Sequence, residues 1–314
     1  MKAQSQTTIK ERVSLSGVGV HSGATSTVTF HPAEPDTGII FLKSSSEGTA
    51  DIEVPASHRF VVATSLSTVL GTDAAGSIGT VEHLLATLGG LGIDNMIVEI
   101  DGDEVPIMDG SAEAFCEVIL QAGLRKQAAQ RRYIRVLRPV KVEIGDSVAE
   151  LLPSDSRRVE VEIDFADTVI GRQAYIYDAD SGDFARDLAR ARTFGFMSSV
   201  EQLWAKGYAL GASLENTVVV GDDQVINPEG LRFADEFVRH KVLDAIGDLM
   251  LAGAPILGHY RSYRGGHRLN CAVVEALLSD ETAWEWSTVT VRREAGQAEV
   301  GAMVPAAAFG PDVS

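Results

Sequence analysis

Apolar and polar residues alternate with a helical period in four segments of the chain. The first runs from Thr80 to Leu88 and is followed by Gly89-Gly90, which predicts a helix with a glycine stop. The second begins after Ser111, and the others cover 239–250 and 269–278. These four segments are the predicted helices.

Strand-like runs surround the predicted helices in a similar order in both halves of the chain. Strands near 7–16, 25–31 and 38–43 precede the first helix, and a strand at 95–100 lies between the first two helices. In the second half, a strand at 256–263 separates the last two helices. Because both halves end in helix, strand and helix, we predict an α+β fold of two similar domains from an apparent duplication, with the active site between them.

The boundary between these halves is predicted at a basic segment. Residues 122–132 close one helix and carry three arginines and one lysine, which favours a solvated linker. The predicted domains are therefore 1–126 and 127–314.

Candidate metal ligands follow from the helix at 239–250. Helical spacing places His240, Asp244 and Asp248 on one face, opposite an apolar face, so the polar stripe faces either a cleft or bulk water. A second imidazole, His83, directly follows Glu82 in the first helix. The set His83, His240 and Asp244, hereafter the metal triad, would hold a catalytic Zn²⁺ with one position left for water, and Glu82 would be the base.

A glycine-rich basic loop at 260–268 supplies a further candidate. Gly265 and Gly266 precede His267 and would let the backbone approach a ligand closely. Arg261, Arg264 and Arg268 surround that histidine in sequence, and this local positive charge suits an anionic substrate such as a diphosphate.

Composition narrows the class of protein. The chain has 314 residues, 45% of them hydrophobic and 23% charged, as in soluble globular proteins. A net charge of −17 argues against nucleic acid and anionic lipid as partners. With no signal peptide or apolar run of membrane-spanning length, we expect a cytoplasmic protein. We also expect it to be a monomer. The two cysteines lie in apolar-periodic segments, so a metal must use histidine and carboxylate.

Six sequence motifs together resemble those of the UDP-3-O-acyl-N-acetylglucosamine deacetylases, which catalyse the committed step of lipid A synthesis in Gram-negative bacteria. They occur in the family's order across nearly the whole chain: Ser16–Gly23, Val81–Ala86, Pro106–Ser111, Ala191–Met197, Asp235–Asp248 and Gly266-His267. The resemblance implies a zinc-dependent hydrolysis of the substrate's N-acetyl group, with Fe²⁺ as an alternative ion in the same site. It also implies two domains, each layering a sheet against helices, with a small insertion in each.

The resemblance further assigns roles to individual residues. Glu82 takes a proton from the attacking water, His267 acts as general acid or as a partner of the oxyanion, Thr193 donates to that oxyanion, and Asp248 orients His267. Substrate contacts are implied for Lys241, Phe194, Arg264, Gly266, Asp164, Phe165 and His21. An insertion at about 195–220 is implied to form a passage for the fatty acyl chain, including Val200, Leu203, Ala209 and Ala212.

Two positions depart from the family pattern. Arg264-Gly265 stands where many relatives have Lys-Ser, which keeps the charge but removes a hydroxyl. Ala166-Asp167 replaces a more usual His-Pro after the segment that resembles the uridine-contacting region. These differences concern substrate affinity rather than the type of reaction.

Two other functions compete with this interpretation. Two histidines and a carboxylate also describe non-haem Fe(II) oxygenases, although an oxygenase needs no base beside its ligand. A non-catalytic nucleotide-sugar or metal-binding protein would have no use for both Glu82 and His267. Asp101–Glu104 is not a calcium loop, and the glycines at 89–92 follow a helix rather than open one, unlike a dinucleotide-binding motif.

Overall fold

The computed structural model describes residues 4–43, 51–72, 76–165 and 168–288. Its helices are α1 (Glu82–Leu91), α2 (Glu113–Ala122), α3 (Phe184–Asp187), α4 (Val200–Ala205), α5 (Glu236–Leu249) and α6 (His267–Ser279). Its strands are β1 (Ser5–Ile9), β2 (Val13–Val18), β3 (Thr25–Pro32), β4 (Ile39–Lys43), β5 (Ile52–Pro55), β6 (Val61–Ala63), β7 (Val69–Thr72), β8 (Gly76–Ile78), β9 (Met96–Ile100), β10 (Leu124–Gln130), β11 (Tyr133–Val136), β12 (Val140–Ile144), β13 (Ser147–Leu152), β14 (Arg157–Phe165), β15 (Gly171–Asp178), β16 (Phe194–Phe196), β17 (Val218–Val220), β18 (Ile256–Tyr263) and β19 (Trp284–Ser287).

The first half is built on a five-stranded sheet in the order β2-β3-β9-β4-β5. Strand β9 is parallel to β4 and antiparallel to β3. Alternate side chains of these strands, such as Val28, Phe30 and Val98, are fully buried in one core with Leu84 and Leu88 of α1. The period-two pattern of the strands and the helical period of α1 therefore supply the two faces of this core.

The second half is built on a seven-stranded sheet with β18 near its centre. Strand β18 is antiparallel to β13 and parallel to β14 and β11. Helix α5 packs against β14 and β15, and α6 packs against β12 and β13. Both halves thus contain the predicted succession of helix, strand and helix, followed by β10 in the first half and β19 in the second. The mixed fold of sheets and helices is confirmed; the duplication itself stays a prediction.

The segment expected to be a solvated linker is a strand. Strand β10 pairs antiparallel with β1, from Ile9 opposite Leu124 to Ser5 opposite Gln130. Arg131, which follows β10, is buried and donates to both carboxylate oxygens of Asp94 at 2.8 and 2.7 Å. The linker interpretation was wrong. Exposed basic side chains are compatible with a strand, because a strand is held by backbone hydrogen bonds to its neighbour, and the charge pattern alone does not reveal them. The predicted boundary at 126 falls inside β10, and the domain limits stay a prediction.

Glycines allow α1 and α5 to pack closely. A Cβ added at Gly247 of α5 would lie 2.1 Å from the carbonyl oxygen of Glu82 in α1. Gly89 and Gly90, expected to stop α1, lie inside it, and a Cβ on either would meet Met250 or Phe184 at 2.8 or 2.2 Å. The helix instead ends at Gly92, whose φ of 69° is left-handed.

Smaller differences concern element boundaries. The strand expected near 7–16 is two strands, β1 and β2. Helix α6 begins at His267 rather than Leu269, and the loop expected from residue 260 begins only after β18 ends at Tyr263. No helix within the described ranges is long and apolar enough to cross a membrane. Ala166-Asp167 and the predicted domain ends, 1–3 and 289–314, lie outside the described residues.

Candidate active site

The metal triad comes together where α1 and α5 cross. His83 is the second residue of α1, while His240 and Asp244 lie one turn apart on α5. The potential ligand atoms of the three side chains all lie within 4.8 Å of one another, and all three side chains are buried. The polar stripe of α5 therefore faces an enclosed site between the two halves rather than bulk water.

The hydrogen bond and the burial of His240 orient its imidazole and keep it neutral, as binding of a cation requires. His240 Nδ1 lies 3.0 Å from the carbonyl oxygen of Ala191, which can only accept, so Nε2 is left to face Asp244 Oδ1 at 3.3 Å. Burial lowers the pKa of His240 to about 4, which keeps the imidazole neutral, as a metal ligand must be. Asp244 Oδ1 and His83 Nδ1 are buried and have no hydrogen-bond partner among the described residues.

Asp244 is ionised in this environment. Although burial raises the pKa of its carboxyl, His240 and Lys241 lower it well below the usual range. Lys241 Nζ donates to Asp244 Oδ2 at 2.6 Å, so one carboxylate oxygen is held and the other, Oδ1, faces the histidines. An unpartnered buried carboxylate oxygen beside two imidazoles fits Zn²⁺ or Fe²⁺.

Glu82 lies beside the triad as the first residue of α1. Its Oε2 accepts a hydrogen bond from the backbone N–H of Thr68 at 3.0 Å, and its Oε1 lies 3.6 Å from His267 Nε2. Burial raises the pKa of Glu82, and His267 and His83 only partly oppose this effect. A carboxylate with a raised pKa is a better proton acceptor at neutral pH than an exposed one.

His267 is held by a buried aspartate. Its Nδ1 donates to Asp248 Oδ2 at 2.9 Å, and Asp248 is fully buried. Burial lowers the pKa of His267, but the carboxylates of Asp248 and Glu82 outweigh burial and raise it to about 9. The imidazole is therefore protonated at neutral pH and can donate from Nε2.

Three residues around Asp248 were missed from the sequence. Thr68 Oγ1 donates to Asp248 Oδ1 at 2.5 Å, Asn270 Nδ2 donates to Oδ2 at 2.8 Å, and the Tyr260 hydroxyl donates to Asn270. Asn270 lies three residues after His267 on α6, a spacing that could have indicated a shared face. Thr68 lies in a segment without a recognisable motif.

A cavity of about 560 Å³ joins this polar cluster to the insertion. At one end it is lined by Glu82, His267, Thr193 and the metal triad. The remaining wall includes His21 and Phe194, expected as substrate contacts, and the expected acyl-passage residues Val200, Leu203, Ala209 and Ala212. The structure thus brings the expected catalytic and passage residues to one continuous space.

Thr193 is fixed in the cavity wall by its neighbours. Its backbone N–H donates to Gly110 O at 2.7 Å, and the preceding residue, Arg192, forms a buried ion pair with Glu236 at 2.9 Å. Because Glu236 opens α5, this pair ties the position of Thr193 to the helix that carries His240.

His21 occupies the wall near the insertion. Its backbone N–H donates to Glu104 Oε1 at 3.0 Å, and its ring contacts Tyr208 edge to face at 5.5 Å. Its Nδ1 is buried without a hydrogen-bond partner in the described part of the chain. Burial lowers the pKa of His21, so this ring is neutral beside the cavity.

The other expected substrate contacts lie outside the cavity lining. Arg264 Nε donates to Asp164 O at 3.3 Å, and the Tyr263 hydroxyl donates to the Asp164 carboxylate at 2.9 Å. The Phe165 ring lies 6.0 Å from that of Phe194, which does line the cavity. Gly266 has open space where a Cβ would stand.

The expected arginine cluster around His267 is only partly present. Arg261 points to the outer face of β18 and donates to Glu150 at 3.1 Å. It therefore does not lie beside His267. Alternation along β18 explains the error, because residues 261 and 260 face opposite sides of the sheet.

Comparisons with known proteins agree with this geometry. The family model described as LpxC: UDP-3-O-acyl N-acetylglycosamine deacetylase matches residues 6–279. Curated proteins named UDP-3-O-acyl-N-acetylglucosamine deacetylase from Brucella ovis and Brucella canis are each 54% identical over 281 residues, covering 89% of this chain and 97% of the relative. The protein of that name from Brucella melitensis biotype 2 is 53% identical with the same coverage.

Proposed function

Because the chain belongs to the UDP-3-O-acyl N-acetylglycosamine deacetylase family, we propose that it removes the N-acetyl group of UDP-3-O-(3-hydroxyacyl)-N-acetylglucosamine with one Zn²⁺ ion. The products are acetate and UDP-3-O-(3-hydroxyacyl)-glucosamine, and the reaction is the committed step of lipid A synthesis. Fe²⁺ is an alternative ion for the same ligands.

One observation carries this proposal. The metal triad, a base and a protonated histidine lie at one end of a cavity whose other walls are mainly apolar. Hydrolysis of an amide on an acylated sugar needs this combination of a reactive end and an acyl-binding end. An unactivated amide needs a strong nucleophile, a polarised carbonyl and a proton for the leaving amine.

The residues divide the proton transfers between them. When bound by the triad, Zn²⁺ polarises the carbonyl and lowers the pKa of a water to about 7. Glu82 Oε1 accepts the proton of the water that attacks the acetyl carbon, while Oε2 stays bonded to the backbone of Thr68. The raised pKa of Glu82 suits this acceptance and a later release of the proton.

His267 and Thr193 act on the other side of the reacting carbon. His267 carries a proton on Nε2, which either stabilises the oxyanion or passes to the sugar nitrogen as the C–N bond breaks. The Thr193 hydroxyl donates to the same oxyanion. Asp248 keeps the imidazole oriented and protonated through Nδ1.

The remaining substrate contacts follow the cavity and its surroundings. Val200, Leu203, Ala209 and Ala212 hold the acyl chain. Lys241 uses one of its three donors on Asp244 and binds the sugar or diphosphate with another. Phe194, His21, Gly266, Arg264, Asp164 and Phe165 complete the proposed substrate site. The protein would act as a cytoplasmic monomer.

Two other functions fit the site less well. A non-haem Fe(II) oxygenase would use the same triad, but the buried Glu82 at 3.6 Å from His267 has no role in such a reaction. A protein that only binds a nucleotide sugar has no use for this base and acid pair either. The paired proton-transfer groups favour hydrolysis.

The test is acetate release from UDP-3-O-(3-hydroxyacyl)-N-acetylglucosamine by the purified protein, after chelation and after stoichiometric Zn²⁺ is restored. We expect release to stop on chelation and to return with the ion. Parallel reactions with Fe²⁺ identify the ion, and a series of acyl lengths identifies the preferred chain. Absence of release with every ion and every acyl length would reject the proposal and favour the binding protein.

A further inference from the structure

Thr68 occupies a central place in the site although it does not line the cavity. It is fully buried and directly precedes β7. The chain turns sharply just before it, because Leu66 has a φ of 71°, a left-handed value that non-glycine residues rarely adopt. This turn leaves Leu66 on the cavity wall and sends Thr68 behind the catalytic carboxylates.

Thr68 binds both carboxylates that flank His267. Its backbone N–H donates to Glu82 Oε2 at 3.0 Å, and its hydroxyl donates to Asp248 Oδ1 at 2.5 Å. Glu82 begins α1 and Asp248 lies near the end of α5, so the two bonds connect helices from different halves of the chain.

These bonds occupy the outer oxygen of each carboxylate. The other oxygens, Glu82 Oε1 and Asp248 Oδ2, then face opposite nitrogens of the same imidazole, at 3.6 Å from Nε2 and 2.9 Å from Nδ1 of His267. If the Thr68 hydroxyl were lost, the Asp248 carboxylate could rotate about its Cβ–Cγ bond while still paired with Asn270. The imidazole would lose its fixed direction.

We infer that Thr68 is a positioning residue. It holds the carboxylates of Glu82, the general base, and Asp248, the partner of the general acid, in fixed orientations on either side of His267. This role rests on the proposed deacetylase function. It acts through hydrogen-bond direction, since Thr68 is neither a member of the metal triad nor one of the residues that line the cavity. The backbone bond to Glu82 survives any substitution except proline, so the hydroxyl can be tested separately.

Three variants separate the hydroxyl from the space that it fills. Thr68→Val keeps the shape and removes the hydroxyl, whereas Thr68→Ser keeps the hydroxyl. Thr87→Val is the matched control, because Thr87 is also fully buried and its hydroxyl donates to the backbone carbonyl oxygen of His83 at 2.9 Å, not to a carboxylate of the site. Each variant is purified with Zn²⁺, and its bound zinc is measured before kinetics.

We expect Thr68→Val to lower kcat about 10- to 100-fold, the usual effect of removing an outer partner of a metal-site group. KM should stay within about twofold and the zinc content should stay unchanged, because neither ligands nor cavity walls are altered. Thr68→Ser should restore most of kcat, and Thr87→Val should resemble the unchanged protein. An equal loss in the Val and Ser variants, or no loss in the Val variant, would overturn the inference.

Proton NMR gives a readout that does not require turnover. A hydrogen-bonded imidazole N–H resonates far downfield, and the His267 Nδ1 proton can be assigned by its loss in His267→Gln. We expect Thr68→Val to shift or broaden this resonance and Thr68→Ser to retain it. A resonance that is unchanged in Thr68→Val would contradict the inference even if the unchanged protein released no acetate.

A folding defect in Thr68→Val would be recognised by circular dichroism and a lost zinc complement. Thr68→Ala then replaces it, since a smaller side chain removes the hydroxyl without adding a methyl group next to Asp248. The same criteria apply to that variant: a loss of kcat and a shifted resonance support the role, and wild-type values reject it.

Discussion

The two ends of the catalytic cavity are held in different ways. At the polar end, Glu82, His240 and Asp248 are almost completely buried, and each has a hydrogen-bond partner that fixes its direction. At the apolar end, the insertion between β16 and β17 contains one short helix, and Trp204 and Leu210 are each 55% exposed. One end is fixed by directional bonds and the other by apolar contact.

This difference agrees with the roles proposed for the two ends. Proton transfer needs donor and acceptor atoms at defined positions, and a small displacement is costly. Binding of an acyl chain depends mainly on the apolar area removed from water, which many arrangements can supply. Substitutions at the polar end should therefore change kcat or metal content, whereas substitutions at the apolar end should change KM in a manner that depends on the acyl chain.

The largest expected effect is that of Asp244→Ala. This change removes the only carboxylate of the metal triad, and we expect the protein to lose tightly bound zinc and to fall to the activity of the chelated protein. Metal analysis after dialysis measures the loss. Asp155→Ala is the control, because the side chain of Asp155 is 91% exposed. A full zinc complement in Asp244→Ala would remove Asp244 from the ligand set.

His267→Ala should keep the ion and lose most of the turnover. We expect kcat to fall by about 10²- to 10⁴-fold, the range for general acid–base groups. Zinc content should match that of the unchanged protein, because His267 Nε2 lies 4.0 Å from the nearest oxygen of Asp244 and is not needed as a ligand. Turnover equal to that of the unchanged protein would exclude His267 from the mechanism.

Ala212→Trp tests the apolar end and should have the smallest effect. The indole ring introduced into the passage wall would displace the distal part of a long acyl chain, and loss of two buried methylenes would raise KM about tenfold. A short-chain substrate should retain its KM, and kcat should change little. Ala205→Trp, on the exposed face of α4, serves as the control. If Ala212→Trp and the unchanged protein had the same KM for a long-chain substrate, the acyl chain would bind elsewhere.

Local patterns in the sequence predicted much of the polar end. The four-residue spacing of His240, Asp244 and Asp248 fixed their common face, and the structure places that face inward. Strand β18 has the bounds predicted for it, and the glycine-rich turn follows it directly, although the loop was expected to begin already at residue 260. What these patterns share is that each depends on neighbours within a few residues.

The rest of the site depends on contacts that are distant in sequence. Thr68 and Asp248 are 180 residues apart, and no periodicity indicates that they meet. The glycines at 89–90 were interpreted as a helix stop because glycine is common there, but their purpose is close packing against side chains from the second half. The sequence shows that these two glycines lack a side chain, but it does not show which distant residues occupy the space beside them.

The pairing of β1 with β10 affects the order in which the chain can assemble. During synthesis, Ser5–Ile9 emerge early, yet their partner strand lies at Leu124–Gln130. At about 5 to 20 residues per second, the first strand waits on the order of ten seconds before its ladder can form. Until then it is an unpaired edge next to a growing hydrophobic core, a state that chaperones commonly protect. The nascent first half is thus completed by the strand that follows it.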